Sequence, residues 1–289
     1  MSIELKEVTY CYMPGTPYER YALRQVSVSI QDGSFTAIAG HTGSGKSTLV
    51  QHLNGLLQPS SGQVLVDGID LKGTDKEARS AAKAARRRVG MVFQYPEQQL
   101  FEETVEKDVA FGPKNQGLDP GLVQGRVEEA MNLVGLDYAS FRNRSPFQLS
   151  GGQKRRAAIA GVLALHPRYL VLDEPTAGLD PCGREDLIRM IQKLHRDWKL
   201  TIVFISHSME DVARLADSVI LMNHGKCVIQ DDPDTVFSRD DLLQAAGLRP
   251  PHIQRLLRRL QAAGWPVQTK ARNIEECLAR IREGLKHAQ

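Results

Sequence analysis

Short apolar or alternating runs recur along the chain at "IELKEVTY", "VSVSI", "SFTAIAG", "QVLVDG", "RVGMVFQ", "YLVLDE", "TIVFIS" and "SVILMNHGKCVI". Their lengths and their period of two predict strands. Several are apolar on both faces, as strands buried inside a parallel sheet are. Helical spacing fills the intervals. Leu49, Val50, Leu53, Leu56 and Leu57 form one apolar stripe that stops before Pro59, which predicts a helix over that stretch. Strands alternating with helices predict an α/β core.

Two regions depart from this rhythm. From about Thr104 to Ala164 the patterns "VQGRVEEAMNLVGL" and "GGQKRRAAIAGVLAL" are helical and no strand intervenes, which predicts a helical insertion. Beyond Pro233 the chain turns helical again. In "SRDDLLQAAGL", Ser238 precedes Asp241 by three residues, the spacing of a capping box. Ile253, Leu256, Leu257 and Leu260 share one helical face, as do Ile274, Leu278, Ile281 and Leu285, with Gly264 and Pro266 between the two helices. This tail is either an association surface or a pair of helices folded back on the core.

Composition narrows the class. The chain has 289 residues, 42% hydrophobic and 25% charged, enough for a large domain with an appendage and a genuine core. A net charge of +3 does not indicate nucleic acid. The basic clusters at Arg86, Arg87 and Arg88, at Lys154, Arg155 and Arg156, and at Arg255, Arg258 and Arg259 read equally well as solvated helix faces. Cys11, Cys182, Cys227 and Cys277 lack paired spacing, which argues against zinc and disulfides and fits a reducing cytosol. The polar opening "MSIELKEV" is not the pattern expected of a signal peptide, and the apolar runs are far short of a membrane span. Work at a membrane would therefore go through a partner.

Chemistry enters at "GHTGSGKS", residues 40–47, which is G-x-x-x-x-G-K-S between a predicted strand and a predicted helix. Gly40, Gly43 and Gly45 allow the backbone of His41, Thr42 and Ser44 to turn its N–H groups toward phosphate oxygens. The helix opening near Gly45 aims its positive end at the same place, and Thr48 lies in its first turn. Lys46 supplies a mobile cation for the terminal phosphates, and the Ser47 hydroxyl is a ligand for Mg²⁺. The plain alternative is a glycine-rich turn with a chance lysine.

A second constellation complements the first. "RYLVLDEPTAGLD" ends an apolar strand in Asp173 and Glu174, whose side chains would point to opposite faces of that strand. Asp173 is placed for the Mg²⁺ shell and Glu174 for orienting or deprotonating the attacking water. "TIVFISHSMED" ends another strand at Ser206 and His207, and His207 is a candidate partner of the terminal phosphate, although a lone histidine is more often structural. Gln94, at the end of "RVGMVFQ", reaches for the Mg²⁺ or the water. "LSGGQKRR" places Ser150, Gly151, Gly152 and Gln153 at a helix start, a second anion-binding terminus. The simplest account is that it serves a nucleotide held by another subunit.

Taken together, "GHTGSGKS", the Gln94 loop, "LSGGQ", "LVLDEP", "AGLD" and "SHSMED" resemble the ATP-binding cassette (ABC) ATPases in order and spacing over residues 1 to about 230. The resemblance implies a P-loop α/β fold with an N-terminal antiparallel β part, a nucleotide-binding domain over 1–230 and a helical subdomain inserted at about 97–164. It also implies head-to-tail dimers in which Ser150, Gly151, Gly152 and Gln153 close over the partner's ATP. Asp180 would communicate across that interface. An aromatic residue near the N-terminus would stack on adenine, with Tyr12 the candidate and Tyr10 and Tyr18 its rivals.

"YMPGTPYERYAL", "FQYPEQQLFEETVEKDVAFGPKN", "LSGGQKRRAAIAGVLA" and the helical tail look like the second, A-prime type of energy-coupling-factor (ECF) transporter ATPase. That resemblance implies ATP hydrolysis with Mg²⁺, driving uptake of a vitamin or transition-metal ion. The implied partners are a second ABC ATPase, in a heterodimer or a homodimer, a transmembrane coupling subunit and a substrate-binding membrane subunit. The protein would lie on the cytoplasmic face of the membrane. The segment after Gln94 would help receive a coupling helix, and residues 231–289 would join the two ATPases. Two other readings stay open: the ATPase of a conventional ABC transporter, and a soluble ABC ATPase of DNA repair or translation.

Overall fold

The computed structural model describes residues 1–287. In chain order its strands are β1 (Ser2–Tyr12), β2 (Arg20–Gln31), β3 (Phe35–Ala39), β4 (Ser61–Val66), β5 (Ile69–Asp70), β6 (Val89–Val92), β7 (Tyr169–Asp173), β8 (Thr201–Ile205), β9 (Ser218–Asn223) and β10 (Lys226–Asp231). Its helices are α1 (Lys46–Leu53), α2 (Lys76–Arg86), α3 (Val105–Asn115), α4 (Pro120–Leu133), α5 (Tyr138–Phe141), α6 (Gly151–Leu163), α7 (Pro181–Trp198), α8 (Met209–Leu215), α9 (Pro233–Ser238), α10 (Asp240–Ala245), α11 (His252–Ala262) and α12 (Ile274–His287).

Among the described residues, ten strands form two sheets. One runs β2-β1-β4-β5 and is antiparallel throughout. The other runs β10-β9-β3-β8-β7-β6, parallel from β9 to β6, with β10 antiparallel at one edge. The alternation of side chains across the parallel strands decides what each face meets. Leu170 and Leu172 of β7, with Ile202 and Phe204 of β8, pack into the core that includes α3, α4, α6 and α7. Tyr169, Val171, Val203 and Ile205 face the other way, onto α1 and the antiparallel sheet. Both faces are buried, which explains why these strands read as continuous apolar runs.

The apolar stripe after the glycine loop overestimates its helix. α1 stops at Leu53, Gly55 takes a left-handed turn (φ 70°), and Leu56 is exposed. The last predicted run divides into β9 and β10 at His224 and Gly225, both with positive φ. The capping box at Ser238 does not form. Ser238 is the last residue of α9, its hydroxyl donates to the Thr235 carbonyl, and Asp241 pairs with Arg239. α9 is capped by Asp232, which accepts from the N–H groups of Asp234 and Thr235.

α11 and α12 enclose a small core of Leu257, Ala271 and Cys277, flanked by Ile253 and Ile281. Leu256, Ile274, Leu278 and Leu285 stay exposed, so only part of each predicted apolar face turns inward. Among the described residues no helix is long and apolar enough to cross a membrane.

Candidate nucleotide site

β3 ends at Ala39 and the chain enters the glycine loop in backbone conformations that only glycine adopts without strain: φ is 152° at Gly40, 80° at Gly43 and 105° at Gly45. Space is as tight as the dihedrals. A Cβ at Gly40 would stand 2.3 Å from the Met222 carbonyl oxygen, and one at Gly45 would stand 2.7 Å from that of Ala22. α1 then begins with no side chain capping its first-turn N–H groups, which leaves them to an anion. The Lys46 ammonium is buried and donates to the carbonyls of Gly40 (2.9 Å) and His41 (3.0 Å). Burial lowers its pKa against the pull of Glu174 and Asp173.

Asp173 and Glu174 have unlike surroundings. Asp173 closes β7 and is 7% exposed. Burial holds its pKa above the usual carboxylate range and the Glu174 charge adds to this, while the Ser47 hydroxyl pulls the other way. Glu174 has already left the strand, so the expected opposition of two strand side chains does not apply. Its φ is 48°, its N–H donates to the Ile205 carbonyl, and its own carbonyl accepts from Ala177. Its carboxylate is gripped from both sides: Oε1 lies 2.6 Å from His207 Nε2, and Oε2 accepts from Gln94 Nε2 at 3.3 Å. His207 is thus bound to the carboxylate rather than standing free.

One cleft of about 600 Å³ is lined by Tyr12, Thr42, Gly43, Gly45, Lys46, Ser47, Thr48, Gln94, Glu174 and His207. Gly40, His41, Ser44 and Asp173 are not among its lining residues. The Ser44 hydroxyl is buried without a hydrogen-bond partner, and His41 Nε2 lies 3.1 Å from Asn223 Oδ1. Of the three tyrosines, Tyr12 lines the cleft and its hydroxyl is 3.2 Å from that of Thr48. Tyr10 packs edge-on against Tyr12 and the buried His52, and Tyr18 is exposed outside the cleft. Arg20, Tyr21, Arg24, His224 and Gly225 also line it, and sequence reasoning missed them. The only signal was their position after "PGTPYE" and in the polar break inside the last predicted strand.

A second cleft of about 600 Å³ is lined by Ser150, Gly151, Gly152, Gln153, Asp180 and Cys182 among others, and it shares no lining residue with the first. Ser150 caps α6 in a reciprocal box: its hydroxyl accepts from the Gln153 N–H, and the Gln153 side chain accepts from the Ser150 N–H. Asp180 caps α7 by accepting from Gly183. Each of the three basic clusters has at least one member engaged within the protein. Arg155 is buried, Arg156 donates to the Val134 carbonyl, Arg88 pairs with Asp67, and Arg258 pairs with Asp240.

Known proteins match this architecture. The ABC transporter family pattern covers residues 23–177. The chain is 50% identical to the energy-coupling factor transporter ATP-binding protein EcfA2 of Clostridium acetobutylicum, over 100% of both chains. It is 48% identical to the protein of that name from Streptococcus pyogenes, over 99% of this chain and 100% of that one. The structure of cbiO1 from Clostridium perfringens, part of the ABC transporter complex cbiONQ, superposes with a TM-score of 0.73 at 35% identity, over 91% of this chain and 96% of that one. A post-hydrolysis state of the ATP-binding cassette MJ0796, a dimer bound to ADP and Pi, superposes with a TM-score of 0.68 at 31% identity, over 80% and 98%. The chain therefore belongs to the ABC transporter family, as the ATP-binding and ATP-hydrolysing subunit of an energy-coupling-factor transporter.

Proposed function

We propose that the first cleft holds ATP against the glycine loop and that the second closes over the nucleotide of a partner cassette. The observation that carries this reading is the pair of clefts without a common residue, one built around a phosphate loop and the other around a capped helix start. Neither is a complete ATPase site by itself. Lys46, released from the Gly40 and His41 carbonyls, would reach the terminal phosphates, and Ser150, Gly151 and Gly152 would complete the partner's site. Asp180, adjacent to Pro181 at the start of α7, would sense the interface.

The donors beside Lys46 suit a hard cation. The Ser47 hydroxyl, the Gln94 amide oxygen and the Asp173 carboxylate all offer oxygen donors, and Asp173 is a buried carboxylate whose desolvation raises its pKa. Mg²⁺ bound there would neutralise charge on the phosphates. Glu174 would take the proton of the attacking water, with Gln94 and His207 holding its two oxygens. ATP-driven closure of the two cassettes and their parting after hydrolysis would be passed on through the segment after Gln94 to a transmembrane coupling subunit.

The domain division follows: 1–230 binds nucleotide, about 97–164 carries the helical subdomain, and 231–289 joins the two ATPases. The exposed Leu256, Ile274, Leu278 and Leu285 support an association surface on that tail. The protein would sit on the cytoplasmic face of the membrane, in a heterodimer with a second ABC ATPase. The transported vitamin or metal ion would be chosen by a separate membrane subunit.

Affinity purification from detergent-solubilised native membranes, with mass spectrometry of every co-eluting chain, tests this assembly. A second cassette ATPase with a multi-span coupling protein is the expected result. Recovery alone, or with nucleic acid, would overturn the partner assignments and leave the ATPase chemistry in place.

Base stacking has its own test. Replacing Tyr12 by Ala should raise the Kd for ATP about fivefold, since an aromatic pair contributes about 1 kcal/mol and 1.4 kcal/mol is tenfold in affinity. Tyr12→Phe keeps the ring and should bind within about twofold of wild type. Tyr18→Ala should leave the Kd unchanged. Fluorescent-nucleotide titration measures all three, and an unaffected Tyr12→Ala would move the stacking role to Tyr21.

A further inference from the structure

Arg155 is the fifth residue of α6, 2% exposed, in a cluster whose neighbours Lys154 and Arg156 are not fully buried. Its guanidinium spends four of five donors. Nε and Nη2 make a fork on the Glu97 carboxylate at 3.0 and 2.8 Å. Nη1 donates to the carbonyls of Pro175 and Ala177, both at 2.8 Å. A buried cation with this many partners is costly to place, and removing a partner leaves charge uncompensated.

The two ends of this fork land beside the catalytic carboxylate. Pro175 directly follows Glu174, and the Ala177 N–H closes the turn by donating to the Glu174 carbonyl. Glu97 lies in the 3₁₀ turn Pro96–Gln99, three residues beyond Gln94, whose amide holds Glu174 Oε2. The contacts make a closed circuit: Arg155 to Glu97, along the loop to Gln94, across to Glu174, through Pro175 and back to Arg155. The same circuit is fastened to the helix that Ser150 caps. The Glu174 backbone is strained at φ 48° and needs such over-determination to persist.

We propose that Arg155, through Glu97, is a positioning residue that fixes the Gln94 loop and the Glu174 turn in one register, so that displacement of the 95–101 segment is felt at the hydrolytic carboxylate. This rests on the reading of Glu174 as the base. Lysine at 155 keeps the charge but presents a single ammonium that cannot span a carboxylate and two carbonyls. Alanine at 97 frees the loop while leaving the two carbonyl bonds intact. Glutamine at 97 still accepts from the guanidinium.

The test is steady-state ATPase kinetics of the full chain in its membrane-extracted assembly, with melting temperature measured alongside. Arg155→Lys and Glu97→Ala are each expected to lower kcat about tenfold or more with KM for ATP within about twofold, because small misplacements of a catalytic group are felt in the chemical step. Glu97→Gln should recover most of the loss. Should Arg155→Lys fail to fold, the half-buried Glu97 variants carry the test. Wild-type kcat in Glu97→Ala, or a raised KM at unchanged kcat, would reduce the clamp to packing and overturn the proposal. Glu174→Gln separates the two readings. Wild-type turnover there overturns the base assignment, whereas an inactive Glu174→Gln beside an unaffected Glu97→Ala overturns the clamp alone.

Discussion

Glu174→Gln should cut kcat for ATP hydrolysis by about a hundredfold or more, as loss of a positioned general base does, while the Kd for ATP stays within about twofold. The substitution is nearly isosteric, so the strained turn at residue 174 keeps its hydrogen bonds to Ile205 and Ala177. What changes is basicity. Held between Gln94 and His207, the carboxylate would take a proton, and an amide in the same place would not. Binding is retained because the groups that would meet phosphate, Lys46, Ser47 and the first turn of α1, are separate from it. With hydrolysis blocked, the ATP-bound closed assembly should accumulate, and size-exclusion chromatography with ATP reads this directly. Wild-type turnover would show that another group receives the proton. A parallel loss of ATP binding would show that Glu174 supports the nucleotide rather than the water.

The glycine loop is the most legible part of the chain because its spacing is itself the chemistry. Gly40 and Gly45 admit no Cβ, and their neighbours in space, Met222 and Ala22, need not be known to read the pattern. Parallel strands were legible for a related reason: apolar residues on both faces report burial on both faces. The failures share a cause as well. The Ser238 capping box satisfied a local pattern, but Asp232 had already started a helix that places Ser238 in its last turn. Glu174 was read as a strand residue, yet its conformation is set by hydrogen bonds in the turn and to β8, which a period of two does not carry. Arg155 read equally well as part of a functional basic cluster or of a solvated face, because its partners Glu97, Pro175 and Ala177 stand 58, 20 and 22 residues away. Local pattern fixes an element; long-range pairing decides what its charged residues do.

Ser150→Arg should silence the site at the partner's glycine loop and spare ATP binding at this chain's own. Ser150 lines the second cleft, which has no residue in common with the first, so a bulky cation there leaves Lys46, Ser47 and Tyr12 untouched. The isolated chain should therefore bind ATP within about twofold of wild type, as expected of two independent sites. In the assembled pair the consequences separate. Lys46→Ala removes the cation from this chain's loop, and Ser150→Arg blocks completion of the other site. Each variant alone then loses one composite site, and the double variant loses both. If instead the signature served its own loop, both substitutions would strike the same site and the double variant would be no worse than either single one. Counting occluded nucleotides per assembly after rapid filtration distinguishes the two arrangements. Cys182 offers an independent reading, since it is exposed in the second cleft. Closure over a partner's ATP should protect its thiol from alkylation in the Glu174→Gln background, and an equal labelling rate with and without ATP would count against head-to-tail closure.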